Sequence, residues 1–152
     1  MPRSAGVPRA GNVGLVDLER FVSAQNAHGT YDQALAELRR GRKTSHWMWF
    51  VFPQIAGLGH SSMAQAYAIG SVAEAQAYLA HPTLGPRLIE CAKAVVGHHR
   101  LSAEEIFGGV DAMKLRSSMT LFAAADPKEP IFKQVLDRYF EGHADSETVS
   151  RL

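Results

Sequence analysis

The residues best suited to chemistry lie in one stretch, 42–54, where cations and small hydroxyls run directly into large aromatic side chains. His46 is a candidate catalytic acid or base, or a hydrogen-bond donor, and Lys43 is a candidate phosphate ligand. The faces of Trp47 and Trp49 can stack on a base or a sugar. The alternative interpretation is that these aromatic residues form the domain core, with the basic residues solvated beside them.

A second polar block begins at Lys114 and continues into an apolar segment. On a helix, Lys114, Ser117 and Ser118 share one face, whereas Arg116 lies on another. Lys114 and Arg116 are candidate phosphate ligands, and the two hydroxyls can contribute to the same anion-binding cleft. The alternative is a solvated helix face.

Two further features bear on a site in this region. The loop 57–62 carries two glycines and His60 and leads into a helix, whose free N–H groups can receive an anion; an ordinary loop and cap is the alternative. The aromatic block contains no carboxylate, so an acidic partner for His46 must come from elsewhere in the chain. Asp111 and Glu105 are the candidates.

Metal and cofactor chemistry have little support in the sequence. The seven histidines include no i, i+4 pair on a helix and no neighbouring thiolates, so we predict no metal site. No phosphate-binding P-loop, Gly-x-Gly-x-x-Gly or Gly-x-Ser-x-Gly pattern occurs, so no cofactor is predicted. Cys91 falls on the apolar face of a helix and is predicted to be a small core residue.

Helices must position these residues. Capping boxes are predicted at Thr30 with Gln33, at Ser71 with Glu74 and at Ser102 with Glu105. Asp17 is the predicted cap of the first helix, and Gly41 the predicted end of the second. No alternating run indicates a sheet, so the fold class is all-α, a compact multihelical single domain over 15–152 behind a flexible tail, 1–14.

The chain is predicted to be cytoplasmic. It has one cysteine and no recognisable leader, and its longest apolar run, 47–53, is far shorter than the roughly 20 residues that a membrane span needs. No membrane partner is expected, and the sequence leaves the oligomeric state open.

Several motifs resemble the bacterial domain-of-unknown-function family eighteen-ten, some of whose members carry the label calpastatin. The most specific are Lys43-Thr-Ser-His-Trp-Met-Trp-Phe-Val-Phe-Pro-Gln54 and Lys114-Leu-Arg-Ser-Ser-Met-Thr-Leu-Phe122, and the resemblance extends over about 18–152. It implies a compact multihelical fold and no established activity. The calpastatin label is rejected, because this composition is that of a globular chain and not of disordered inhibitory repeats.

The order of an aromatic block, a His-Pro-x-Leu step at His81 and a C-terminal helix is also similar to a helical family that acts on ADP-ribose and related N-glycosidic compounds. The acidic catalytic position of that family has no obvious match in this sequence.

The favoured hypothesis is a binding pocket, or an enzyme active site, for a phosphorylated small molecule such as a nucleotide or an ADP-ribose derivative. One alternative is a nucleic-acid-binding module that uses the basic run Arg39–Lys43, although the net charge of +1 weighs against it. The other is a protein-interaction module in which part of the aromatic block is exposed.

Overall fold

The computed structural model describes residues 10–152, and side chains from Leu18 onward. Within this range the regular structure is helical, which confirms the predicted all-α class. The helices are α1 (Ala10–Asn26), α2 (Thr30–Arg40), α3 (Met48–Val51), α4 (Ser62–Ala66), α5 (Val72–Ala80), α6 (Leu84–Val96), α7 (Ala103–Phe107), α8 (Gly109–Ala125), α9 (Ile131–Phe140) and α10 (Ser146–Val149).

The first helix begins earlier than predicted. Asp17, the predicted cap, lies inside α1, which starts at Ala10. Of the predicted flexible tail, 1–14, the last five residues belong to this helix, and residues 1–9 lie outside the described residues.

Local capping signals at Ser71 and Ser102 are confirmed. Ser102 and Glu105 form the reciprocal box, and the Ser71 hydroxyl accepts from the Glu74 N–H. The Glu74 carboxylate accepts from Gly70 rather than from Ser71. Both serines therefore satisfy N–H groups that the first turn of a helix leaves free.

The predicted box at Thr30 is wrong. Gly29, in the left-handed region at φ 68°, occupies the N-cap position, and Thr30 already belongs to the helix. The Thr30 hydroxyl donates to the Ala27 carbonyl, and the Gln33 carboxamide donates to Glu37 instead.

The core is built around α8, which packs against α5, α7, α9 and α10. Phe122 lies between Tyr78 and Phe132, with ring centroids 5.3 and 5.8 Å away. Contacts of this geometry add to the free energy gained by burying the rings. They fix the long helix that carries the second polar block.

The connection between α2 and α3 is joined to the start of α8 through α7. The Lys43 N–H donates to the Ile106 carbonyl at 2.8 Å, and Gly108, at φ 82°, then turns the chain into α8. A residue with a side chain would be strained at this angle. The turn brings the first residues of α8 beside Lys43.

A closed loop, 54–69, carries α4 and forms one wall of the candidate site. Ile55 and Ile69 form an isolated parallel bridge, in which Ile69 donates to the Gln54 carbonyl and accepts from the Ala56 N–H, both at 2.8 Å. Arg20 on α1 donates to the carbonyls of Ala66 and Ala68, each at 2.7 Å. The two ends of the loop are thereby tied to each other and to α1.

Candidate functional site

Three charged residues from two distant blocks meet at the first turns of α8. The Lys43 ammonium lies 2.9 Å from Asp111 Oδ2, and the Lys114 ammonium lies 3.6 Å from Asp111 Oδ1. We call these residues the Asp111 ion cluster. Its formal charge is +1, because one carboxylate serves two cations. Asp111, rather than Glu105, is thus the carboxylate that reaches the aromatic block, since Glu105 is held in its capping box.

The two lysines of the cluster differ in access. Lys43 retains only 8% of its side-chain exposure, donates to the Ser45 carbonyl at 2.6 Å and lies 5.0 Å from the Trp47 ring centroid. Lys114 is 25% exposed and lies 5.3 Å from the centroid of Trp49. Lys43 therefore holds Asp111 in place, and Lys114 is the cation that meets solvent.

A buried carboxylate, Glu37, organises the approach to the aromatic block. It accepts from the Trp47 indole N–H at 2.9 Å, from the N–H groups of Thr44 and Ser45 at 2.8 and 3.1 Å, from the Ser45 hydroxyl, and from the Gln33 carboxamide. A buried charge is tolerated where hydrogen bonds replace water in this way. Glu37 thus fixes the segment that carries Lys43.

Opposing effects set the protonation state of Glu37. Burial raises the pKa of its carboxyl, but the hydrogen bonds from Ser45, Thr44, Gln33 and Trp47 stabilise the charged form more strongly, so the pKa falls to about 2. Glu37 is ionised at neutral pH. Its role is structural, because each of its carboxylate oxygens already accepts two or more hydrogen bonds.

A hollow of about 150 Å³ lies between the aromatic block and the closed loop. We call it the Trp49 hollow. It is lined by the half-buried residues Trp49, Gln54 and Tyr67, and by Ile55, Ala56, Gly57, Gly59, Ala64, Gln65 and Ala68. Concave sites with apolar walls and a few polar groups are where small molecules bind.

A second hollow, the Lys114 hollow, adjoins the first. It is lined by Lys114 and Ser117, by the acidic residues Asp145 and Glu147, and by the apolar residues Leu58, Val110 and Met113. Gln54 and Gly59 line both hollows, so the two adjoin, and we call them together the groove. Val110 and Met113 at its rim are 73% and 51% exposed.

The groove contains polar groups with no internal partner. Within the described part of the chain, the Trp49 indole N–H, the Gln54 carboxamide and the Tyr67 hydroxyl make no hydrogen bond. These groups stay accessible to solvent, because the only fully buried side-chain polar atom without a partner in that part of the chain is Ser118 Oγ. They remain available to a ligand.

The residues predicted to bind a ligand in block 114–118 differ in their contacts and in their burial. Arg116 donates to the carbonyls of His143 and Ala144, at 2.8 and 3.1 Å, and so ties down the segment before α10. Ser117 is buried and donates to Asp145. Ser118 is fully buried and lines neither hollow. The prediction that Ser118 contacts a ligand is therefore corrected, since this side chain is sealed in the core, whereas ligand binding by Arg116 stays a prediction.

The residues predicted to form a site in the first block also differ in burial. Trp47 is fully buried and bonded to Glu37, which corrects its predicted role as a stacking surface; Trp49 has the accessible ring. His46 and His60 are exposed, and neither lines the two hollows. His60 is next to Gly59, which lines both. Catalysis by His46 stays a prediction.

Within residues 18–152, the surfaces that the alternative hypotheses require are small. Of the basic run, Lys43 is buried against Asp111 and Arg39 pairs with Glu90 at 3.2 Å, which leaves the exposed Arg40 and Arg42. The aromatic block from Trp47 to Phe52 is buried apart from Trp49. Within the described residues, these pairs reduce the basic run, and the aromatic block forms no exposed patch.

Other chemistry has little support in residues 10–152. No group of three or more His, Cys, Asp or Glu side chains there is arranged to hold a metal ion. No helix in this range is long and apolar enough to cross a membrane. Burial raises the pKa of the Cys91 thiol to about 12, so it is protonated and unreactive at neutral pH, as a core residue is.

Sequence reasoning missed Glu37, Gln54 and Tyr67. Glu37 carries a recognisable signal, because it lies three residues after Ala34 and next to Leu38, on the buried side of α2. Gln54 follows the proline that ends the aromatic block, and only its neighbours in space mark it. No local pattern distinguishes Tyr67 from an ordinary core tyrosine.

The fold and sequence have a solved relative. The crystal structure of the conserved hypothetical protein Rv1873 from Mycobacterium tuberculosis is similar, with a TM-score of 0.87 and 52% sequence identity over 90% of this chain and 96% of that chain. No curated protein matches the chain. The family model described as "Protein of unknown function (DUF1810)" matches residues 15–152. The chain belongs to this family of unknown function.

Proposed function

We propose that the protein binds a phosphorylated small molecule, of the nucleotide or ADP-ribose class, in the groove formed by the Trp49 and Lys114 hollows. One observation carries this proposal: Lys114, whose side chain is 25% exposed, lines one hollow, and its ammonium lies 5.3 Å from the ring centroid of Trp49, which lines the other. A planar ring stacked on Trp49 would therefore place an attached phosphate within reach of a cation.

The Asp111 ion cluster suits phosphate binding, because the Lys114 ammonium is incompletely paired in it. Asp111 is shared, and its shorter contact is with Lys43. The contact with Lys114 at 3.6 Å is long for a charge-assisted hydrogen bond, so a phosphate oxygen competes for this ammonium at small cost. The other acids of the hollow already have partners: Asp145 accepts from Thr148 and Ser117, and Glu147 from Arg151.

The test is calorimetric titration of the full chain with ribose 5-phosphate, nucleoside monophosphates and ADP-ribose. We expect binding that Lys114→Ala weakens by about tenfold, the effect of losing one charged hydrogen bond of about 1.4 kcal/mol. Lys133→Ala is the matched control, because Lys133 is 74% exposed on α9 and lines neither hollow. Absence of binding by every phosphorylated compound, or equal affinity in Lys114→Ala, would overturn the proposal.

A further inference from the structure

We infer that the Trp49 hollow selects a ligand with a single six-membered ring that has a hydrogen-bonding amide edge, as uracil and nicotinamide do. This inference rests on the proposed function and adds the identity of the ring. It follows from the size of the hollow, the rigidity of its walls and the polar group at its junction with the Lys114 hollow.

Size is the first step. The hollow holds about 150 Å³, the volume of a protein cavity that binds one benzene molecule. A six-membered ring therefore fills it, and the second ring of a purine has to extend beyond it, into the space toward Lys114 that the phosphate arm would occupy. A base that is only half enclosed forfeits part of the free energy gained by burying apolar surface.

The walls have little freedom to widen. The loop is closed by the Ile55–Ile69 bridge and held by Arg20. It is also packed closely at its glycines: an added Cβ at Gly57 would lie 2.9 Å from Arg151 Nε, and one at Gly59 would lie 2.6 Å from the Ala64 Cβ. The Tyr67 ring is fixed by Phe50 and Phe21, with centroids 5.3 and 5.8 Å away.

The Gln54 carboxamide supplies the recognition group. Gln54 lines both hollows, and its carboxamide has no partner among the described side chains and backbone groups. Its backbone is held in place, because the Gln54 carbonyl accepts from Ile69 at 2.8 Å. A carboxamide offers a donor and an acceptor side by side, which complements an amide edge of the C=O and N–H type. The phosphate arm would leave the ring past Gln54 toward Lys114.

The experiment compares four probes with the full chain by calorimetry: ribose 5-phosphate, uridine 5′-monophosphate, nicotinamide mononucleotide and adenosine 5′-monophosphate. We expect the two single-ring nucleotides to bind at least tenfold more tightly than the adenine nucleotide. Gln54→Leu should reduce this preference to less than threefold by weakening the binding of the two single-ring nucleotides. Gln134→Leu, on the exposed side of α9, is the matched control.

The outcomes separate the two proposals. Equal affinity for uridine and adenine monophosphates, with binding still dependent on Lys114, would overturn the ring selectivity and leave the phosphate site standing. Failure of all four probes to bind would overturn both. If Gln54→Leu does not fold, as judged by its thermal transition, Gln54→Ala provides the second variant, and unchanged preference in a folded Gln54 variant would overturn the inference.

Discussion

The Trp47 indole N–H donates to Glu37 Oε1 at 2.9 Å, and both side chains are fully buried. Neither side chain is placed for chemistry on a ligand, yet the contact fixes the segment on which Lys43 and Trp49 are displayed. A carboxylate without a cationic partner in a core is costly unless donors surround it, and here five donors do.

We predict that stability falls with acid through Glu37. Because the pKa of its carboxyl is about 2 in the folded chain and near 4.5 when unfolded, the unfolded state takes up the proton first. The contribution is complete above about pH 5 and is lost as the pH falls toward 2. A difference of this size corresponds to roughly 3 kcal/mol. Urea denaturation between pH 2 and pH 7 measures it.

The matching substitution is Glu37→Gln. It should lower the free energy of unfolding at pH 7 by about 3 kcal/mol and flatten the pH dependence, because the amide cannot accept all five hydrogen bonds. Glu104→Gln, on the exposed first turn of α7, serves as the control and should change stability by less than 1 kcal/mol. An unchanged acid limb in Glu37→Gln would contradict the assignment.

We predict that Gly85→Ala is strongly destabilising. A Cβ at Gly85 would lie 2.0 Å from the Leu79 carbonyl oxygen, a backbone atom that cannot rotate away. The start of α6 must then move off α5, at a cost of about 3 kcal/mol. Gly109→Ala is the control, because nothing lies within 4 Å of its added Cβ and its φ is ordinary. Thermal unfolding compares them; equal transition temperatures would refute the close contact.

Features that depend on neighbours along the chain could be predicted from the sequence. The all-α class, the box at Ser102 and the end of α2 at Gly41 follow from capping chemistry over a few residues. The Thr30 box failed because Gly29 adopts the N-cap position first. Capping preferences rank residues as candidates for the N-cap position, but the conformation of the preceding turn decides which residue occupies it.

The site depended on contacts that no local pattern encodes. Lys43 and Asp111 are far apart in the chain, and only the turn at Gly108 brings them together. Residue type also failed to distinguish Trp47 from Trp49, two positions apart in one aromatic block. The short helix α3 turns the first into the core and leaves the second half-exposed. The burial of a side chain in the fold, rather than its residue type, therefore distinguishes core residues from those that can contact a ligand.

We predict that Arg116→Ala acts on the C-terminal segment and not on phosphate binding. Loss of its bonds to His143 and Ala144 should lower the free energy of unfolding by about 2 kcal/mol and speed amide exchange in α10. The affinity for ribose 5-phosphate should remain within twofold of the wild-type value, in contrast to Lys114→Ala. A tenfold loss of affinity in a folded Arg116→Ala protein would return Arg116 to the binding site.

The acidic rim of the Lys114 hollow should weaken phosphate binding. Glu147 lines this hollow and pairs with Arg151 at 3.0 Å, while Arg151 also packs against the loop at Gly57. Glu147→Gln removes a negative charge near the phosphate position and releases a cation. We expect the affinity for ribose 5-phosphate to rise by about two- to fivefold at low ionic strength, and the gain to disappear in about 0.5 M salt because exposed charges are screened.

The control is Glu104→Gln, which lines neither hollow and should leave this affinity unchanged. A fall in affinity in Glu147→Gln would contradict this prediction. It would mean that the Glu147 carboxylate accepts a hydrogen bond from the ligand, for example from a sugar hydroxyl, and that the phosphate binds elsewhere.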